Sequence, residues 1–126
     1  MTRSTPQPDG VARPKAPYSP VVADDGLVYT AGQVAFDEQG ELVPGGIEEQ
    51  VRRALENLTA CLHAAGAELS DVLKVNAYLA DLGDFAGFNT VYSEFFSEPY
   101  PARTTVGVSL PAGLLVEIEA VARVGA

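Results

Sequence analysis

The stretch "GGIEEQVRRALENLTACLHAAGAELSDVLKVNAYLADL", residues 45 to 82, changes its hydrophobic period once. In its first part Ile47, Val51, Leu55, Leu58 and Leu62 recur at helical spacing, with Ala54, Cys61 and Ala65 beside them. That is the buried stripe of an amphipathic helix. Glu48 and Glu49 stand in its first turn, where the helix dipole favours negative charge. Gly66 is a natural stop. Further on the step falls to two residues. Leu73, Val75, Ala77 and Leu79 share one face of a predicted strand, and Val72, Lys74, Asn76 and Tyr78 share the other. The first face is apolar and the second is mixed, so the second is not simply open to water.

Outward from this pair, "DGLVYTAGQV" (25 to 34) is β-rich and glycine-bounded, which predicts a strand. "FDEQGELV" (36 to 43) reads as a hairpin with its turn at Asp37 to Gly40. "DFAGFNTVYSEFFSE" (84 to 98) predicts a second helix, with Asp84 as N-cap and Phe88, Val91, Tyr92 and Phe95 as its apolar face. "ARTTVGVSL" (102 to 110) and "LLVEIEAVARV" (114 to 124) are the last strands. In the final one Val116, Ile118, Ala120, Ala122 and Val124 alternate with Glu117, Glu119, Val121 and Arg123. The predicted order is strand, strand, helix, strand, helix, strand, strand. Two helices cover one face of such a sheet, giving a two-layer α+β domain. The mixed face then needs a cover, and a symmetric oligomer is the natural source.

The chain of 126 residues with a net charge of −9 suits one globular domain. The acidic balance disfavours nucleic acid and anionic membrane as partners. Residues 1–16 hold three prolines, one glycine and almost no large apolar side chain, and read as a disordered N-terminal tail before a domain over 17–126. They lack the apolar core of a secretory signal, and no apolar run approaches the ~18 residues of a membrane span, so a cytoplasmic location is expected. The single cysteine, Cys61, reads as a core residue, and the single histidine, His63, as a solvated helix residue away from the stripe. No phosphate loop, nucleophile elbow or metal-ligand cluster is present in the sequence.

What remains is Arg103, the one charged residue between Glu98 and Glu117 in a run of small, apolar and proline residues. A guanidinium in apolar surroundings needs an anion, and its planar fork suits a carboxylate. It does not shuttle protons at neutral pH, so a functional Arg103 is an anchor. Glu117 and Glu119 share a strand face and could serve as a base or hold a water. Two readings stay open on the residues alone: a structural Arg–Glu pair between strands, or an anionic ligand.

The chain resembles the reactive intermediate deaminase family, the Rid or YjgF type. The likeness is carried by "PYSP" (17 to 20), "YTAGQV" (29 to 34), the helix over 47–67, the run over 71–96, "PARTTVGVSLP" (101 to 111) and "VEIEAVA" (116 to 122). It implies a chorismate-mutase-like fold, with a mixed sheet and two helices on one face, and a homotrimer with ligand clefts between subunits. It implies hydrolysis of reactive 2-enamines or 2-imines, such as 2-aminoacrylate, to 2-oxo acids and ammonia, without metal or organic cofactor. By this resemblance Arg103 grips the substrate carboxylate and Glu117 positions the attacking water. Tyr18, Gly32 and Asn89 line the cleft, the backbone around Thr105 contributes beside Arg103, and Glu119 is structural. Ala31 stands where the family often has serine, and Thr105 where it often has cysteine. Related alternatives are hydrolysis of a bulkier, aminomuconate-type enamine or of a carbamate, and a trimer that binds 2-oxo acids without turnover. The ribonuclease activity attached to some relatives suits this acidic chain least.

Overall fold

In the computed structural model, which describes residues 3–125, the sheet begins at a two-residue turn. Asp25 and Gly26 have φ of 52° and 83°. Two successive left-handed residues make the type I′ turn that matches strand twist. The turn joins β1 (Val21–Asp24) to β2 (Leu27–Thr30) in antiparallel register. The first hairpin therefore lies at 21–30 and not at 36–43. The expected turn at Asp37 does form: Asp37 Oδ1 accepts from the Gln39 and Glu41 amides at 2.9 and 3.0 Å. Its flanks, however, share a single bridge, Phe36 with Leu42, and make no strand.

Helix α1 (Ile47–Ala64) follows. Glu49 Oε1 accepts from the Gly46 amide at 2.9 Å at its start. Gly66, at φ 81°, closes its end, with the Ala67 amide donating to Leu62 O at 2.8 Å. Val51, Ala54, Leu55, Leu58, Cys61 and Leu62 are buried as the periodicity predicts, and Ile47 packs at the margin. Burial pushes the Cys61 thiol up to about 12, which fits an inert core residue. His63 is exposed and meets Glu68 at 3.1 Å.

The central strand β3 (Val72–Leu79) corrects one face assignment. Its register against β5 slips between Val72 and Lys74. A bulge of this kind puts an extra residue on one strand and reverses the alternation across it. Val72 therefore joins Val75, Ala77 and Leu79 in the core, while Leu73 is 52 % exposed. Helix α2 (Phe85–Phe95) buries Phe88 and Val91 fully and Tyr92 almost so. Asp84 occupies its N-cap position without a side-chain hydrogen bond. Asp81 caps instead, one short turn earlier, accepting from the Gly83 amide at 2.8 Å. A Cβ at Gly87 would stand 2.8 Å from Ile47 Cγ2, so glycine lets α2 close on α1.

Strands β4 (Ala102–Gly107) and β5 (Val116–Arg123) complete a mixed sheet in the order β1-β2-β5-β3-β4. The β3–β4 pair is parallel and the others are antiparallel. Both helices lie on the face made by Val28, Val75, Ala77, Leu79, Val116, Ile118, Ala120 and Ala122, as expected of a two-layer α+β domain. The opposite face carries Tyr29, Lys74, Asn76, Tyr78, Thr104, Val106, Glu117 and Glu119.

Residues 3–16 of the expected disordered tail are laid against the domain. Ser4 exchanges both backbone hydrogen bonds with Ala23 at 2.9 Å, and Arg53 Nη2 donates to Gly10 O at 3.2 Å. A tail without large apolar groups can still pair its backbone with an open sheet edge, a possibility that composition does not reveal. Met1 and Thr2 lie outside the described residues. No helix among the described residues is long and apolar enough to cross a membrane.

Candidate active site

Parallel pairing sets Arg103 beside Val75, so its side chain leaves β4 on the helical side of the sheet. There its guanidinium carbon stands 4.7 Å from the ring centre of Tyr92, 5.1 Å from Phe88 and 5.7 Å from Phe85. Phe85, Phe88 and Tyr92 follow the i, i+3, i+7 spacing of one helix face, so α2 presents all three rings together. Among the described residues the ion pairs are Arg52–Glu94 and His63–Glu68, and Arg103 has no carboxylate partner. The alternative of a structural Arg–Glu pair is thus not what this fold contains. Aromatic faces attract a cation but leave its N–H donors unused, so the fork is held in place and available. A cavity of about 310 Å³ opens beside it, lined also by Asn89, Tyr92, Ser93, Tyr100 and Pro101.

Glu117 lies elsewhere. It pairs with Tyr78, on the sheet face away from the helices. Burial raises its pKa first, and the nearby Glu119 charge adds to the rise. Glu119 itself accepts from Asn76 Nδ2 at 3.2 Å, in keeping with a structural role. A Cβ at residue 32 would collide with the Glu117 carboxylate, so Gly32 is what admits that carboxylate. Glu117, Gly32, Ala31 and Tyr18 line a second cavity of about 380 Å³ with Val34, Pro111 and Leu114. Tyr18, 57 % exposed, stands at its rim. Thr30 does not supply the hydroxyl that Ala31 lacks: it does not line this cavity, and its Oγ1 faces β5, where it accepts from the Ala120 amide at 3.0 Å.

Two buried amides on α1 hold the loops that frame this second cavity. Gln50 donates to Gly113 O at 2.8 Å and accepts from the Leu115 amide at 2.9 Å. Asn57 Nδ2 donates to Val34 O and Phe36 O at 2.9 and 3.0 Å. Each polar group is buried and paired, which fixes the loop geometry.

The residues singled out in the sequence therefore fall into two groups. Arg103 and Asn89 share one cavity; Tyr18, Ala31, Gly32 and Glu117 share another. Thr105 points to the same side of β4 as Arg103, two residues on. Sequence reading took Phe88 and Tyr92 for plain core and passed over Phe85. The signal present was an aromatic at each of three positions on one helix face, in a chain whose Arg103 stands alone among small and apolar residues. Among the described residues no three His, Cys, Asp or Glu side chains are grouped to hold a metal ion.

The chain is similar to proteins of one family along most of its length. The model of the family described as Endoribonuclease L-PSP matches residues 10–124. A RutC family protein of Pyrococcus abyssi is 48 % identical over 124 residues, 97 % of this chain and 93 % of that one. A Capra hircus protein named 2-iminobutanoate/2-iminopropanoate deaminase is 44 % identical over 108 residues, 84 % of this chain and 79 % of that one. The crystal structure of E. coli TdcF with bound serine superposes with a TM-score of 0.89 at 35 % identity, covering 97 % of this chain and 99 % of that one. Matched along nearly its whole length, the chain belongs to the L-PSP family, the YjgF/RidA type that its motifs resemble.

Proposed function

We propose that this protein hydrolyses reactive 2-imines, and their enamine tautomers, to 2-oxo acids and ammonia. The observation that carries the reading is Arg103, held by three aromatic rings and without a carboxylate partner among the described residues. A small organic carboxylate is the ligand that such a fork fits best. The deaminase name of the Capra hircus relative and the amino acid bound to TdcF support the same substrate class.

Arg103 and Glu117 leave opposite faces of one sheet, so one copy of the chain does not offer both to one small substrate. We place the reaction at the clefts of a homotrimer, where the Arg103 cavity of one subunit closes on the Glu117 cavity of its neighbour. The mixed outer face, with exposed Tyr29 and Val106 beside its carboxylates, is the surface such an assembly would cover. In the cleft Arg103 grips the carboxylate, Asn89, Tyr18 and the backbone at Thr105 complete the binding surface, and Glu117 holds the water. The water oxygen adds to the imine carbon, and a proton passes through Glu117 to the nitrogen. The carbinolamine hydroxyl then gives its proton to Glu117 and on to the amine, the C–N bond breaks, and ammonia leaves the new ketone. A raised Glu117 pKa suits this exchange. No strong nucleophile is required; positioning and charge placement supply the catalysis.

Ala31 favours one variation. With no side-chain hydroxyl there and Thr30 committed to Ala120, the cavity accepts a bulkier, less polar enamine than a serine-lined one would.

The test is to generate imines with an amino-acid oxidase, trap them with semicarbazide, and ask whether the protein suppresses semicarbazone formation. Suppression is expected for the wild type and not for Arg103→Ala or Glu117→Gln. Arg103→Ala should also weaken binding of a 2-oxo acid by roughly 2–5 kcal/mol. Tight 2-oxo acid binding with no suppression by any form would make the protein a binder and not an enzyme.

A further inference from the structure

Tyr92 is 6 % exposed, and its hydroxyl has no hydrogen-bond partner among the described residues. Its ring stacks on Phe96 at 4.6 Å and meets Phe88 at 5.4 Å, packing that phenylalanine would reproduce. The hydroxyl thus adds desolvation cost to the fold and returns no internal bond. Tyr92 also lines the cavity that holds Arg103, whose guanidinium carbon lies 4.7 Å from the centre of its ring. The side-chain hydrogen bonds made by arginine among the described residues belong to Arg52 and Arg53. An unspent fork and an unspent hydroxyl are therefore neighbours.

We propose that Tyr92 is a positioning residue for Arg103: its hydroxyl accepts a guanidinium N–H once a substrate carboxylate has turned the fork. A bidentate carboxylate engages two of the five N–H donors and leaves others to be satisfied. In the ligand-free chain the aromatic rings hold the cation, and in the bound state Tyr92 fixes its rotation. Burial pushes the Tyr92 phenol up, and both the Arg103 charge and the hydrogen-bonding approach of its guanidinium to the hydroxyl oppose that push, so the two groups already face each other. The inference rests on the carboxylate-binding reading above and deepens it.

The experiment compares wild type, Tyr92→Phe and Arg103→Ala by calorimetric titration with pyruvate and with its neutral amide, pyruvamide, and by thermal melting without ligand. Tyr92→Phe should weaken pyruvate about ten-fold, the scale of a hydrogen bond to a charged group. It should leave pyruvamide affinity unchanged, keep or raise the ligand-free Tm, and raise KM for the imine more than it lowers kcat. Wild-type affinity for pyruvate in Tyr92→Phe would overturn the inference alone. A lowered ligand-free Tm, or a weakened oligomer, would overturn it too, by assigning the hydroxyl to structure. If wild type and Arg103→Ala bind pyruvate equally, or neither binds it, the carboxylate reading itself fails and this inference with it.

Discussion

Arg103 and Gly32 show how single residues make a site from opposite requirements. Arg103 must be partly removed from water yet left without a partner. An acid beside it would stabilise it and consume it. Aromatic faces stabilise a cation by roughly 0.5–2 kcal/mol and leave every donor open. Gly32 works by what it lacks. Its φ is not among the positive ones, so alanine is permitted there by the backbone. The obstacle is the Glu117 carboxylate, the movable end of a side chain. Gly32→Ala should therefore cost less than ~1 kcal/mol of stability, as for a change that a side-chain end can absorb. It should still lower imine turnover more than about ten-fold, because the water-holding carboxylate is displaced. Melting and turnover of the one variant check both halves, and full activity would show that the carboxylate position does not matter. Arg103 was legible as a functional candidate from its isolation in the sequence. The reason Gly32 is glycine was not, because the side chain it makes room for lies far along the chain.

At the scale of elements, the helices and β5 follow their periodicity closely, since each has one partner face and an unbroken repeat. β3 does not. Strict alternation puts Leu73 in the core and Val72 outside; the bulge exchanges them. Val72→Ala should cost about 1–2.5 kcal/mol and Leu73→Ala distinctly less, the reverse of what the larger side chain suggests. Denaturant melts of the two variants give the ranking, and a larger loss at Leu73 would place it at a buried contact between subunits. A bulge depends on the partner strand's register, so it has no local signature here. The first hairpin is different: "DG" between "VVAD" and "LVYT" is a local signal for a type I′ turn. The sequence pattern reads as a strand over 25–34 with its hairpin at the longer, more polar turn at Asp37, and the chain turns at both, once within the sheet and once in a loop.

At the scale of the whole molecule, the sheet separates the two halves of the proposed site. A mixture of inactive subunits tests the assembly directly. If each cleft takes Arg103 from one subunit and Glu117 from another, co-refolded Arg103→Ala and Glu117→Gln chains should recover about a quarter of wild-type activity, the chance that a cleft draws both intact residues from random neighbours. If one chain supplied both residues, the mixture would stay inactive. Mass measurement of the assembly checks the trimer itself.

By itself the sequence determined the fold class, the helix faces, the alternation of β5 and the isolation of Arg103. These are properties of spacing and composition, legible within a window of a few turns. Tertiary structure alone decided that no acid among the described residues meets Arg103, that aromatic rings support it, that Glu117 reaches over Gly32, and that Arg103 and Glu117 stand on opposite faces of the sheet. The physical reason is that these depend on which distant segments share a face and a register, and pairing across a sheet is a long-range outcome that local patterning does not encode.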